Sequence, residues 1–367
     1  MSARAALFLS YASIMMSSIF IPGYALALGA SMVEIGIIST SYGISLFLSS
    51  YIFSRASDIK GRKVFVVSGL LFSAVAFLLQ MTATNPFLLL LVRSFAGFSV
   101  GIFTAPLIVY AFESGDRMGT FSSYGSMGWA AGSLLAGVIA QKSESLVHLT
   151  RLAPFWSVFF LSSLLFLISF FTVSRLPETK FTPRRLPFFP KDVFLKNANI
   201  YVSAFLRYFG ANLVWVIFPL FLADLGANKL WIGIIYFVNA AGQVVIMRRL
   251  DFGKETSLVK IGLLLSSAVF FSYTLAPDYR WIVPLQVLLA FSYSFLYVGD
   301  LLYLTKRNEE RGVAVGILNS VIGVCGGLGP IFGGVISQIW GFTGVMHVAS
   351  AFAFIAFLVM MRRGSSF

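Results

Sequence analysis

Charged residues are scarce in this sequence. Of its 367 residues, 11% are charged and 58% are hydrophobic, whereas a soluble globular domain carries about 25% charged residues. So few charges cannot cover the apolar side chains with a polar surface, which excludes a water-soluble domain and indicates that lipid is the solvent. The net charge of +13 falls in short loops between apolar runs, so the basic face of a nucleic-acid-binding domain is not expected.

Cysteine, histidine and nucleotide-binding loops are also rare or missing. The single cysteine, Cys325, excludes an intramolecular disulfide. The two histidines, His148 and His347, have no metal-ligating neighbours in the sequence, so we predict no metal site and no cofactor. The sequence contains no Gly-x-x-x-x-Gly-Lys-Ser loop, which argues against a process that this chain drives with ATP.

The apolar residues fall into twelve long runs. A membrane-spanning helix needs about 20 mainly apolar residues, and lipid favours helices because unpaired backbone groups cost several kcal/mol each there. We therefore predict an all-α membrane protein. The predicted spans are 5–29, 33–53, 64–84, 86–112, 119–141, 153–174, 199–223, 229–247, 257–276, 281–304, 312–338 and 341–361.

Lysine and arginine are divided unevenly between alternate loops. The loops of one side hold only Lys142, Arg151, Lys229 and Arg280. Two further arginines fall inside spans, and the remainder of the 27 basic residues lie on the other side. Because cytoplasmic loops carry the excess of Lys and Arg, we predict a multi-pass protein of the cell membrane with both termini in the cytoplasm.

The sequence repeats itself at an offset of 197 residues. Residues 22–38 return as residues 219–235, and residues 132–139 return as residues 329–336. Such a repeat predicts two pseudo-symmetric six-helix bundles, at residues 1–178 and 199–367, packed about an axis normal to the membrane. The basic, proline-rich stretch 179–198 is predicted to be a cytoplasmic linker. Since one chain supplies both bundles, we expect a monomer to suffice.

The loop after the second run, Ser54 to Lys63, resembles the signature Gly-x-x-x-Asp-x-x-Gly-Arg-Lys of the major facilitator superfamily, with Ser54 in place of the first glycine. The loop Arg249 to Lys254 of the second half is a shortened version. The resemblance implies a latch that holds the outward-facing state shut on the cytoplasmic side; the alternative is that these charges only set topology. The predicted latch residues are Asp58, Gly61, Arg62, Glu113 and Asp251.

Glycine patterns extend this resemblance. Residues 93–101 resemble the family's Arg-x-x-x-Gly pattern, and residues 125–137 resemble its antiporter signature, with Ser133 and Ala136 departing from it. Small residues permit close approach of helices, and that role explains the glycines without antiport. The predicted packing residues are Gly97, Gly101, Gly128, Gly132, Gly137, Gly329, Pro330, Gly333 and Gly334.

Charged residues inside spans are candidates for ion coupling and substrate binding. Arg93 lies about 10 Å inside the outer end of its helix, and the resemblance associates it with proton coupling. Arg207 is predicted to hold an anion or a carboxylate unless it snorkels to the membrane edge. Asp300 is predicted to be the proton site, with pairing to Lys306 or Arg307 as the alternative. The polar candidates, with interhelical hydrogen bonding as their alternative role, are Tyr208, Asn212, Trp215, Asn239, Gln243, Gln286 and Tyr293.

These features favour a secondary transporter that works by alternating access. We predict efflux of amphipathic small molecules coupled to a proton, with sodium as the other possible ion. The alternative is uptake of a sugar, nucleoside or organic anion by symport or uniport. The sequence shows neither the clustered catalytic residues of an enzyme nor the filter-like segment of a channel. The expected partners are the solute, the ion and membrane lipid.

Overall fold

Long helices account for nearly all of the described chain. The computed structural model describes residues 2–116, 118–146, 150–178, 191–250, 254–308 and 311–361. The first six helices are α1 Ala3–Ala27, α2 Met32–Lys60, α3 Arg62–Leu79, α4 Pro86–Glu113, α5 Met118–Lys142 and α6 Ala153–Ser174. The second six are α7 (Ala198–Trp215 continued by Phe218–Asp224), α8 Lys229–Met247, α9 Glu255–Tyr273, α10 Ile282–Arg307, α11 at 311–340 and α12 at 342–361.

The twelve-helix prediction is confirmed. Within the described ranges, nine helices are long and apolar enough to cross a membrane, and the bent pair that forms α7 adds a tenth. The last of the nine contains two spans, because Gly341 adopts a positive φ of 68° and separates α11 from α12. The 25-residue helix α5 completes the set. A short helix, Lys191–Lys196, lies in the stretch predicted to be a linker.

The repeat in the sequence corresponds to a repeated turn. Gly29 and Gly226 follow α1 and α7 with φ values of 89° and 84°, a conformation that glycine adopts without strain and that ends helices. Ser31 and Asn228 then cap α2 and α8 by accepting a hydrogen bond from a backbone N–H of the first turn. The repeated segment 22–38, which returns as 219–235, therefore corresponds to a helix end followed by a helix start, once in each half.

Two offsets relate the halves. Positions in α1 and α2 correspond to positions 197 residues later in α7 and α8. Positions in α3 and α4 correspond to positions 193 residues later: Gly69 of α3 packs on Phe103 of α4, and Gly262 of α9 packs on Leu296 of α10. We call residues related in this way equivalent.

Two equivalent seams join the halves. A Cβ atom added at Gly36 of α2 would lie 2.6 Å from the carbonyl oxygen of Pro330 in α11, and one added at Gly233 of α8 would lie 2.6 Å from that of Ser133 in α5. Two of the predicted packing glycines, Gly137 and Gly334, lie in these seams. The second repeated segment, 132–139 and 329–336, thus contains residues that make contacts between the halves.

The halves are packed most closely at one side of the membrane. We call the side on which α1 begins and α12 ends, and to which the sequence assigns most Lys and Arg residues, the basic face. Near the opposite face, buried apolar side chains of both halves form one continuous cluster, whereas towards the basic face each half has a cluster of its own. At the opposite face an ion pair of 2.5 Å between Lys229 and Glu144 also joins the halves. This arrangement closes the opposite face.

Candidate functional site

The turn between α2 and α3 contains a buried ion pair. Gly61, with φ 92°, separates the two helices, and Arg62 begins α3 with only 7% of its surface exposed. Its Nε lies 3.3 Å from Glu113 Oε1 at the end of α4, and its Nη1 donates to Ser57 Oγ at 2.9 Å. The structure therefore brings three predicted latch residues together. The side chain of Asp58 and the whole of Asp251 lie outside the described part of the structure.

The second half carries an ion pair at the equivalent place with its charges inverted. Glu255, which is equivalent to Arg62, lies 3.4 Å from Lys306, which is equivalent to Glu113. Arg307 is 3.6 Å from the same carboxylate. Both basic residues thus pair with Glu255, so the alternative in which they pair with Asp300 is wrong. The acidic start of α9 and the basic end of α10 were the signal that the sequence offered for this contact.

Arg93 lies in a buried polar network of the first half. It is 4% exposed, and its Nη1 donates to Gln80 Oε1 at 3.4 Å, an oxygen that also accepts a bond from Ser17. The guanidinium lies 4.1 Å from the ring centroid of Tyr42, within the range of a cation–π contact. Gly97, one turn along α4, lets the α2 backbone approach so closely that an added Cβ would be 2.1 Å from Tyr42 O.

Arg207 lies in a different network in the second half. It is 3% exposed, so it does not snorkel to the membrane edge. Its Nε donates to Ser266 Oγ of α9 at 3.0 Å. Its guanidinium lies 5.1 Å from the ring of Tyr208 and 5.5 Å from that of Tyr293.

Asp300 is the only buried acidic residue in the described part of the chain. It is 1% exposed, and neither carboxylate oxygen has a hydrogen-bond partner there. Arg207 is close enough to interact with it electrostatically. An ionised carboxylate without donors is costly in an apolar interior, so Asp300 needs either a proton or the nearby positive charge.

Five tyrosines lie around the networks of Arg93 and Arg207. The rings of Tyr293 and Tyr297 stack at 5.8 Å on α10, and Tyr208 of α7 meets Tyr293 edge-on at 6.1 Å. Tyr11 of α1 lies within electrostatic range of Tyr42, Tyr293 and Tyr297. We call these five residues the tyrosine cluster; it includes side chains of both halves. Three of its members, Tyr11, Tyr42 and Tyr297, were missed in the sequence, although a tyrosine inside an apolar span is itself a signal.

The remaining polar candidates bond to neighbouring helices or to their own. Asn212 donates to the carbonyl of Tyr208 at 2.8 Å within α7, and Gln243 donates to Asn239 at 2.7 Å within α8. Asn239 in turn donates to the carbonyl of Gln286 at 3.3 Å. These contacts involve the amides of Asn212, Asn239 and Gln243, whereas the buried side-chain oxygen of Gln286 has no hydrogen-bond partner among the described residues. Among the described residues, no group of three or more His, Cys, Asp or Glu side chains could hold a metal ion.

The predicted packing glycines hold helices that carry the tyrosine cluster. Added Cβ atoms at Gly128 and Gly132 of α5 would lie 2.4 and 2.3 Å from carbonyl oxygens of α1, on either side of Tyr11. Gly333 of α11 packs in the same way on α7, where an added Cβ would be 2.4 Å from Leu213 O. Gly101 and Gly329 are equally crowded, against Leu46 of α2 and Asn212 of α7.

A comparison with known families decides the class of the protein. The sequence profile of the Major Facilitator Superfamily matches residues 5–201 and again residues 200–365. The chain belongs to the major facilitator superfamily. The two matches correspond to the two halves, and members of this superfamily are membrane transporters.

Individual members of the superfamily are only distantly similar. The chain is 22% identical over 360 residues to an uncharacterized MFS-type transporter of Methanocaldococcus jannaschii, covering 93% of this chain and 91% of the relative. It is 26% identical over 325 residues to multidrug resistance protein 1 of Bacillus subtilis, covering 83% and 81%. The fold matches the crystal structure of a bacterial homolog of the human lysosomal transporter Spinster, with a TM-score of 0.80, 15% identity and coverage of 100% and 96%.

Proposed function

We propose that this superfamily member exports amphipathic compounds in exchange for protons. The observation that carries the proposal is Asp300, a buried carboxylate without hydrogen-bond partners among the described residues, within electrostatic range of Arg207 and of Tyr208, Tyr293 and Tyr297. Buried ionisable residues inside membrane helices mark ion or substrate pathways by default. The similarity to a multidrug resistance protein of Bacillus subtilis supports export and an amphipathic substrate.

Proton exchange at Asp300 would couple the two fluxes. In the ionised form, the charge of Asp300 is compensated by Arg207 or by a cationic substrate. In the protonated form, the carboxyl group is neutral and leaves Arg207 to its contacts with Ser266, Tyr208 and Tyr293. Because a cation and a proton both favour departure of the other from the carboxylate, the two would occupy the site in turn, which is antiport.

The tyrosine cluster would bind the apolar part of the substrate. Aromatic faces offer a large contact area for apolar groups and attract cations over the ring. Tyr11 and Tyr42 belong to the first half, and Tyr208, Tyr293 and Tyr297 belong to the second. A substrate bound among them would touch both halves, which alternating access requires as the halves rock about the site.

The basic face would supply the moving gate. The opposite face is closed by the shared apolar cluster and by Lys229 and Glu144, so the substrate would enter from the basic face. We propose that Asp58, Gly61, Arg62, Glu113 and Asp251 act as a latch when that face closes. The excess of Lys and Arg supports a cytoplasmic location for this face, the side from which an exporter loads its substrate.

A second candidate is uptake of an organic anion with protons. It is favoured by the charge balance of the interior, where Arg93, Arg207 and Asp300 are all buried, two positive charges against one carboxylate. An anion that replaced Asp300 beside Arg207 would be helped by protonation of that carboxylate. Anion and proton would then bind together, which is symport.

The experiment measures proton movement in proteoliposomes that contain the full chain and an internal pH dye. Tetraphenylphosphonium, an amphipathic cation, and salicylate, an aromatic anion, are added in turn to vesicles of the wild type, of Asp300→Asn and of Asp224→Asn. Asp224 is the matched control, since it is an exposed aspartate at the end of α7. We expect the cation to drive protons in the direction opposite to its own movement in the wild type and in Asp224→Asn.

Loss of this flux in Asp300→Asn alone would assign proton coupling to Asp300. Equal flux in all three proteins would remove Asp300 from the coupling site. Proton flux in the same direction as salicylate, with no response to the cation, would overturn export by antiport and establish the second candidate.

A further inference from the structure

A groove opens on the lipid-facing side of the second half. It has a volume of about 360 Å³ and lies between the end of α8, the start of α9 and the middle of α10. Val245 and Phe291 on its walls are 54% and 38% exposed, as expected for side chains that contact lipid. Its lining residues are Val245, Ile246, Arg249, Leu250, Leu258, Phe291 and Phe295.

At the equivalent place in the first half, three phenylalanine rings pack against one another. The ring of Phe53 lies 5.7 Å from that of Phe65 and 5.7 Å from that of Phe98. Their equivalents in the second half are Leu250, Leu258 and Phe291. Exchange of two rings for smaller leucine side chains removes the aromatic contacts and leaves the space open.

The rim of the groove differs from its counterpart in charge. Arg249 takes the place equivalent to Ile52, and it is exposed at the basic face, as are Arg248 and Lys254. The acidic neighbour Glu255 already pairs with Lys306 and Arg307. Among the described residues, no acidic side chain pairs with Arg249, which leaves its guanidinium available at the membrane surface.

The groove lining is apolar apart from one charged residue, Arg249. An apolar groove beside a single exposed positive charge fits an acyl chain whose headgroup is negatively charged.

We propose that the groove is a binding site for one anionic phospholipid of the leaflet at the basic face. Arg249 binds the headgroup phosphate, and the space left by Leu250 and Leu258 holds an acyl chain. The site lies on the outer wall of the second half, apart from the tyrosine cluster, so it is independent of the transported substrate.

Native mass spectrometry of the purified full chain tests the site. Dioleoylphosphatidylglycerol and dioleoylphosphatidylcholine are added separately, and the fraction of protein that retains one lipid is measured. We expect tighter binding of the anionic lipid and about a fivefold loss of that preference in Arg249→Ile, since one basic residue near the surface contributes roughly that factor. Lys60→Gln, an exposed basic residue at the same face of the first half, is the matched control and should bind as the wild type does.

A second variant tests the groove apart from its charge. Leu250→Phe with Leu258→Phe restores the three rings of the first half, so the fold tolerates this side-chain pattern in an equivalent place. We expect this variant to lose retention of both lipids. If Arg249→Ile has no more effect than Lys60→Gln, or if the refilled groove still retains phosphatidylglycerol like the wild type, the site does not exist.

Discussion

Among the described residues, each half has one arginine buried in the interior of a membrane-spanning helix, Arg93 or Arg207, at a position where the other half has a different residue. In the first half Arg93 contacts Gln80 and Tyr42. The equivalent residues of the second half are Gln286, Tyr273 and Asn239, of which Gln286 donates to Tyr273 at 3.2 Å. The polar contact between α3 and α4 thus recurs between α9 and α10, but the charge does not.

The network of Arg207 also contains charged residues whose equivalents in the other half are uncharged. Arg207 and Asp300 are equivalent to Ser10 and Leu107, whereas their neighbour Ser266 is equivalent to another serine, Ser73. The close contacts of small residues recur in both halves because backbone approach depends only on the missing side chain. A buried charge needs its own partners, so Arg93, Arg207 and Asp300 each occur only in the half that supplies those partners. Among the described residues, the buried carboxylate therefore belongs to the second half alone.

Removal of Arg207 should have the largest effect on stability. Arg207→Met leaves Asp300 as a buried carboxylate without its cationic neighbour, and we expect a loss of about 3 kcal/mol in the free energy of unfolding. The double variant Arg207→Met with Asp300→Asn should recover most of this loss, because it removes both charges. Thermal unfolding in detergent measures both values. Equal destabilisation of the single and double variants would show that the two residues are not coupled.

Overpacking substitutions in the two seams should lower stability by equal amounts, because the same packing occurs in both seams. Gly36→Val and Gly233→Val each force a side chain against a carbonyl oxygen 2.6 Å from the Cβ position, and overpacking of this kind costs about 1–3 kcal/mol. Gly316→Ala is the control, since nothing lies within 4 Å of an added Cβ there. The same unfolding measurement applies. A large effect at one seam and none at the other would contradict the equivalence of the two contacts.

Removal of the basic partner should cost more stability in one ion pair of the basic face than in the other. Arg62 is buried and also bonds to Ser57, so Arg62→Gln should cost about 2 kcal/mol. The side chain of Lys306 is 56% exposed, and Lys306→Gln should cost less than about 1 kcal/mol. Unfolding at low and high salt separates the two, because salt screens the exposed pair more strongly. If both variants lose a similar amount of stability with a similar salt dependence, the two ion pairs do not differ in strength as we expect.

Much of the fold was accessible from the sequence, and less of the site. The lengths of the apolar runs gave twelve spans, and the glycines after α1 and α7 gave the repeat. The pair of Arg62 and Glu113 could be anticipated because both lie at helix ends on one face. Asp300 was predicted to be the proton site, with pairing to Lys306 or Arg307 as the alternative; the structure buries it within electrostatic range of Arg207 of α7. The position of a residue along its helix gives its depth in the membrane. It does not show which neighbouring helix packs over its side chain.

By itself the sequence determined that the chain lies in a membrane, how many times it crosses, and which positions of the two halves correspond. These properties depend on the apolar content of single segments and on turn residues, which act locally. Only the tertiary structure decided that Tyr11 lies near Tyr293 and Tyr297 of the second half, that Glu255 pairs with Lys306 and Arg307, and that two leucines leave a groove open. These depend on side chains that are far apart in the chain and meet only when the helices pack, so no local pattern encodes them.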